Sequence, residues 1–197
     1  MGTDIHFHFE KNIDGEWEKI PIPRELNPDD RSYVLFGLLA NVRNGKGFAG
    51  CEIYEPLVPL FADRGIPDES SLECRYGEAS HYHSHTYFSL KEILAIDWNI
   101  SVINSGVIDR ENCEHFIKNG KPKNWCGGIS GKEVLIAPDL DEFLKDPRYT
   151  HVRIKWPSYI LKDTYFETFM KEVLPRYVNK WEENADETIR VTIFFDS

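Results

Sequence analysis

The chain has 197 residues, and 23 Lys+Arg against 33 Asp+Glu give it a formal charge of −10. Hydrophobic residues make up 41% and charged residues 28%, which supplies a core, excludes wholesale disorder and fits one globular domain over residues 1–197. The acidic balance argues against long nucleic acids, no apolar run approaches the roughly 20 residues that span a bilayer, and the opening Met1-Gly2-Thr3-Asp4 has no signal-peptide character, so a cytoplasmic location is the expectation.

Residues 4–10 alternate, with Ile5, Phe7 and Phe9 on one face and Asp4, His6, His8 and Glu10 on the other, the pattern of a half-buried strand. Asp14-Gly15 marks a hairpin turn that returns residues 17–20 onto that strand. A Pro-rich link (Pro21, Pro23, Pro28) leads to Asp30, a candidate helix cap. Tyr33, Leu35, Phe36, Leu38, Leu39 and Val42 then describe a helix that is apolar nearly all round and therefore deeply packed. Over residues 44–80 Gly and Pro recur too often for a long element, which predicts a long ordered loop and a candidate binding surface.

Ser89-Leu90-Lys91-Glu92 is a capping box opening a helix, which places His81, His83 and His85 just before a helix N-terminus. Residues 100–137 show no clear period beyond one short helix over 111–118. Residues 151–156 alternate as a strand, Asp163 caps a helix carrying Tyr165, Phe166, Phe169, Met170, Val173 and Leu174, and Pro175 bends or ends it. Residues 188–195 form a closing strand with Ile189, Val191, Ile193 and Phe195 on one face. The chain thus reads as α+β, a mainly antiparallel or mixed sheet with adjacent N- and C-terminal strands, covered by helices and carrying long ordered loops.

Two histidine-rich stretches carry the candidate chemistry. Alternate residues of an extended segment project together about 7 Å apart, so His6 on the first strand and His83 and His85 near the capped helix become candidate ligands of a divalent metal ion, with Asp4 and Glu10 as catalytic carboxylates. The plain alternative for the first stretch is the solvated face of an edge strand, and for the second a cluster of exposed histidines. Arg43 and Arg64 leave rigid local structure in the glycine-rich region and are candidates to hold a small anionic ligand. Ordinary surface ion pairing is their alternative. Trp125, in a loop, either stacks on a ligand base or plugs the loop onto the core. Cys51, Cys74, Cys113 and Cys126 form no Cys-x-x-Cys pair and read as free thiols. Walker and Gly-x-Ser-x-Gly motifs are absent.

Several stretches together resemble a family of uncharacterised proteins carried by bacteriophages, prophages and bacteria: Gly2-Thr3-Asp4-Ile5-His6, the helix ending Val42-Arg43-Asn44, Arg64-Gly65-Ile66-Pro67-Asp68, the segment from His83-Ser84-His85 to Leu94, and Arg190 to Asp196. Asp4, His6, Arg43, His83 and His85 match that pattern, while the position of His8 varies in it. The resemblance implies a bacterial or phage cytoplasmic protein.

Two functions are in view. One is metal-dependent hydrolysis of a small phosphate-containing metabolite or nucleotide signal. The other is non-catalytic sequestration of a small nucleotide ligand. A protein–protein inhibitor acting through its acidic surface is a third, and leaves the histidines without a role.

Overall fold

The computed structural model describes residues 2–71, 81–178 and 185–196; the expectations for Cys74 and for the end of the 44–80 loop lie outside them. The strands are β1 (Asp4–Ile13), β2 (Glu16–Lys19), β3 (Glu52–Ile53), β4 (His83–Ser89), β5 (Ser101–Asp109), β6 (Ile136–Ala137), β7 (His151–Tyr159) and β8 (Ile189–Asp196). They form two four-stranded sheets, ordered β2-β1-β8-β4 and β3-β5-β7-β6. All pairings are antiparallel except β6 with β7. With the helices around them this is an α+β architecture, and β1 and β8 pair along Asp4–Lys11, so the terminal strands are neighbours as expected.

The β1–β2 hairpin turns through Asp14 (φ 53°) and Gly15 (φ 96°), the two successive positive φ values of a type I′ turn. On β1, Ile5, Phe7 and Phe9 lie opposite Phe195, Ile193 and Val191 of β8, and all six side chains are buried. This inner face packs against α1 (Tyr33–Ala40), whose residues from Leu35 to Ala40 are all buried. Each buried Phe or Leu of this layer contributes on the order of 2 kcal/mol. Ser32, not Asp30, precedes α1, and Asn41 ends it in the left-handed conformation at φ 61°. The N–H groups of Leu60 and Phe61 donate to the carbonyls of Leu38 and Leu39, so the loop beyond α1 is fastened to the helix end. Asn44 adds a second fastening, accepting from the Leu57 N–H at 2.8 Å and donating to its carbonyl at 2.7 Å.

The remaining helices among the described residues are α2 (Leu90–Leu94), α3 (Arg110–Asn119), α4 (Leu140–Lys145), α5 (Tyr165–Thr168), α6 (Leu174–Tyr177) and α7 (Ala185–Thr188). The Ser89–Glu92 capping box opens α2 with both reciprocal bonds in place. Thr164 takes the cap role expected of Asp163. A single π-helical turn, Phe169–Val173, joins α5 to α6, so the distortion precedes Pro175 rather than following it. Residues 101–109, without a clear period in the sequence, are the long strand β5. Ile53 and Val102 join the larger core, so both sheets share it, while Ile108, Phe143, Ile154 and Trp156 belong to a smaller core on the second sheet. Gly127 makes the closest approach there: its N–H donates to Ala49 O at 2.9 Å, and a Cβ would lie 1.9 Å from Gly50 O. The cysteines among the described residues, Cys51, Cys113 and Cys126, are free thiols. Among the described residues no helix is long and apolar enough to cross a membrane.

The outer face of the first sheet carries a buried ion pair. Glu10 Oε2 accepts from Arg190 Nε and Nη2 at 3.1 and 3.0 Å, and the two side chains are 1% and 9% exposed. Glu10 Oε1 accepts the Ser71 N–H at 2.7 Å, Arg190 donates to Glu69 O, and the guanidinium lies 3.8 Å from the Trp17 ring centroid. Removing one partner strands the other's charge out of water. Arg190→Met is therefore expected to cost about 3–5 kcal/mol in urea unfolding, with more than half recovered in Glu10→Leu/Arg190→Met. A single-variant cost below about 1 kcal/mol, the range of an exposed pair, would contradict a closed outer face.

Candidate ligand-binding site

Because β1 alternates, His6, His8 and Glu10 share the outer face with the β8 residues opposite them, Phe194, Thr192 and Arg190. Phe194 is buried although it stands on this polar side, and it gathers rings around itself. His6 stacks on it at 5.3 Å, Tyr82 meets it edge-on at 4.6 Å, and His8 and His85 lie at 5.2 and 5.7 Å. Three imidazoles thus surround a phenyl ring rather than a common point. His83 does not join them. Ser84 adopts φ 54° and the β4–β8 register shifts between His83 and Thr86, a bulge that sets His83 opposite Phe195 of the inner face, 6.1 Å between ring centroids, while His85 faces Phe194.

The carboxylates have protein partners. Asp4 is held by Arg31, Nε to Oδ1 at 2.6 Å and Nη2 to Oδ2 at 2.8 Å. Glu10 belongs to the buried pair with Arg190. Asp196, at the end of β8, accepts the Asp4 N–H at 3.2 Å through Oδ1 and lies 3.2 Å from His6 Nε2 through Oδ2. Burial acts to raise the Asp196 carboxyl; the hydrogen bonds from His6 and the Asp4 N–H, with the charges of His6 and Arg31, outweigh it and hold the group below its usual range. Among the described residues, no group of three or more His, Cys, Asp or Glu side chains is placed to hold a metal ion.

Beside this cluster lies a cavity of about 540 Å³, running along the edge of β1 that β8 does not cover. β1 forms its floor from Asp4 to Phe9, Tyr82 and Phe194 form one wall, and the Lys19–Asp29 strap, with Lys19, Arg24, Asn27 and Asp29, forms the other. Asn27 Oδ1 is enclosed without a hydrogen-bond donor among the described residues. Of the polar face of residues 4–10 read from the sequence, Asp4, His6 and His8 line this cavity. Arg43 reaches the neighbouring Thr3, Nε to Oγ1 at 2.6 Å. Arg64 is elsewhere, bonded to Glu92 at 2.9 Å and lying 4.9 Å from the Phe61 ring centroid. Trp125 is on the second sheet, packed edge-on to Trp156 at 5.6 Å and lining a separate cavity of about 270 Å³.

Sequence reasoning passed over Lys19, Arg24, Asn27, Tyr82, Phe194 and Asp196. Phe194 had a usable signal: it is an aromatic residue at an outer-face position of a strand whose other face is already complete. No family model, no curated protein and no solved structure matches the chain.

The lowered Asp196 carboxyl fixes an acid response. A folded-state value below the ordinary 3.8 contributes stability that is present above that pH and is lost as pH falls through the folded value. The contribution of Asp196 to the melting temperature is expected to be full at neutral pH and to be lost as the pH falls below about 4. Asp196→Asn should lower the melting temperature at neutral pH and flatten the acid limb. Parallel curves for the two proteins would contradict this assignment.

Proposed function

We propose that this protein captures a small anionic molecule in the cavity along β1 and does not turn it over. The observation that carries this reading is the lining of that cavity: Lys19, Arg24, His6 and His8 offer positive charge or hydrogen-bond donors beside the Tyr82–Phe194 wall, in a volume of about 540 Å³, within the range of small-molecule sites. Lys19 and Arg24 make no ion pair among the described residues, in a chain with ten more acids than bases. Asp4, a lining carboxylate two residues from His6 on the same strand face, is paired with Arg31. A nucleotide would set its phosphate against these cations and its base against the aromatic wall.

Hydrolysis is the second reading, and the His6–Asp196 contact at 3.2 Å is what favours it. A carboxylate that fixes an imidazole's orientation prepares it to act as a general base. The metal-assisted form of that chemistry needs several ligands at one point. His6, His83 and His85 are not so arranged, since the bulge at Ser84 separates the last two.

Calorimetry with nucleotides, phosphorylated metabolites and short acidic peptides, with and without Mg²⁺, Mn²⁺ or Zn²⁺, tests both readings when paired with chromatography of the mixtures. The expected result is one-to-one binding of at least one anion with no product formed. It should weaken at least tenfold in Lys19→Glu/Arg24→Glu and weaken as salt screens the charges. Product accumulating beyond the protein concentration, and lost in His6→Ala, would favour hydrolysis. No binding across the panel would overturn the capture reading.

A further inference from the structure

We infer that the anion captured by the β1 cavity is a short acidic peptide in extended conformation, which adds a strand to the first sheet at Ile5 and Phe7; this rests on the small-anion reading of the same cavity. The two-residue turn at Asp14-Gly15 makes Ile13 and Glu16 a hydrogen-bonded pair, so the odd-numbered residues of β1 point their main-chain groups away from β8. The bond from the Ile20 N–H to Phe9 O at 2.7 Å has that parity and is the last rung of the hairpin. Beyond it Pro21 and Pro23 have no N–H to give, and the Ile22 N–H turns back to Ile20 O at 2.9 Å. The strap therefore leaves β1 where Phe7 and Ile5 follow.

The N–H and C=O groups of Ile5 and Phe7 consequently face the cavity and have no hydrogen-bond partner among the described residues. These residues are only 1% and 6% exposed. Enclosed main-chain groups require partners, from a ligand or from water. The groups to be satisfied alternate donor and acceptor, and the two residues are about 6.6 Å apart at strand spacing. Another main chain presents that series, because residues two apart on an added strand each exchange both bonds with Ile5 and Phe7. An extended peptide also carries N–H groups on its opposite edge, toward the strap, where Asn27 Oδ1 lacks a donor among the described residues. Charge selects an acidic sequence: Lys19 and Arg24 flank the cleft, and Asp29 is the lining carboxylate without a cationic partner among the described residues.

The test uses the intact protein and a capped tetrapeptide, acetyl-Glu-Val-Glu-Val-amide, compared by calorimetry with the same peptide N-methylated at every residue, a version with Lys in place of Glu, and a nucleoside monophosphate. The acidic peptide is expected to bind at least tenfold more tightly than either modified peptide, and Lys19→Glu/Arg24→Glu to lose at least tenfold with an unchanged unfolding midpoint. Equal binding of the N-methylated peptide would overturn strand addition, since methylation removes the N–H groups and keeps the charge. Binding of the nucleotide without the peptide would overturn the peptide assignment and leave the small-anion reading standing. Binding of none of the four would overturn the peptide assignment, and the capture reading falls with it when the nucleotides and phosphorylated metabolites also fail to bind.

Discussion

The β1–β2 hairpin stops at Pro21, and the candidate site exists because it does. A continued β2 would cover β1 to its start, giving Phe7 and Ile5 ladder partners and filling the space now enclosed by the strap. Proline has no N–H and cannot extend such a ladder. Pro21, Pro23 and Pro28 instead carry the chain away as an irregular strap, with one 3₁₀ turn at Arg24–Leu26. Among the described residues, the strand that pairs with the C-terminal strand along Asp4–Lys11 is thereby left open on its other edge over part of that length. Its inner face remains fixed by the shared hydrophobic core, so the opening lies on a rigid support. Sites on such supports hold their geometry better than sites on loops.

The other organising feature is the closure of the outer face around Glu10 and Arg190. These residues are far apart in sequence, and their pairing draws the main chain at Glu69 and Ser71 onto the sheet beside the Trp17 ring of β2. The ion pair is weak evidence of net stability, because desolvation offsets much of the attraction. Its physical effect is to fix register, since a one-residue slip of β8 against β1 would send one charge into the inner core. Toward the Asp4 end of the same face the covering is aromatic instead, with Phe194 at the centre and His6, Tyr82 and His85 against it. The histidines are held by ring contacts and, for His6, by Asp196. This accounts for ordered imidazoles without a convergent ligand set.

Much of the fold was legible where periodicity and capping agree. The alternation of residues 4–10 and 189–195 set the correct inner faces, and Ser89-x-x-Glu92 marked a real helix start. β5 was not legible, because Asn104 and Gly106 occupy two of its inner positions and interrupt the apolar pattern that Val102 and Ile108 would otherwise show. Asn104 is accommodated by donating to Ser158 Oγ at 2.6 Å, a partner on β7 that local sequence cannot reveal. For the candidate site, parity on β1 placed Asp4, His6, His8 and Glu10 together, yet it carries no information on what covers that face, and Glu10 proved to be enclosed with Arg190. The spacing of His81, His83 and His85 implied a common direction, which the left-handed Ser84 breaks. The Pro-rich stretch was legible as a connection, but its consequence, an unpaired edge opposite it, appears only when the hairpin's rungs are followed to their end.

Residue-resolved amide hydrogen exchange along β1 in the ligand-free protein tests the open edge most directly. The even-numbered residues His6 and His8 point their N–H groups into the β8 ladder, whereas those of Ile5 and Phe7 point into the cavity. The expected pattern is alternation, with slow exchange at His6 and His8 and exchange at least tenfold faster at Ile5 and Phe7, and the fast positions slowing when a ligand pairs with them. Uniformly slow exchange from Ile5 to His8 in the free protein would mean that the edge is already paired, and would contradict the account of this cavity as a binding site.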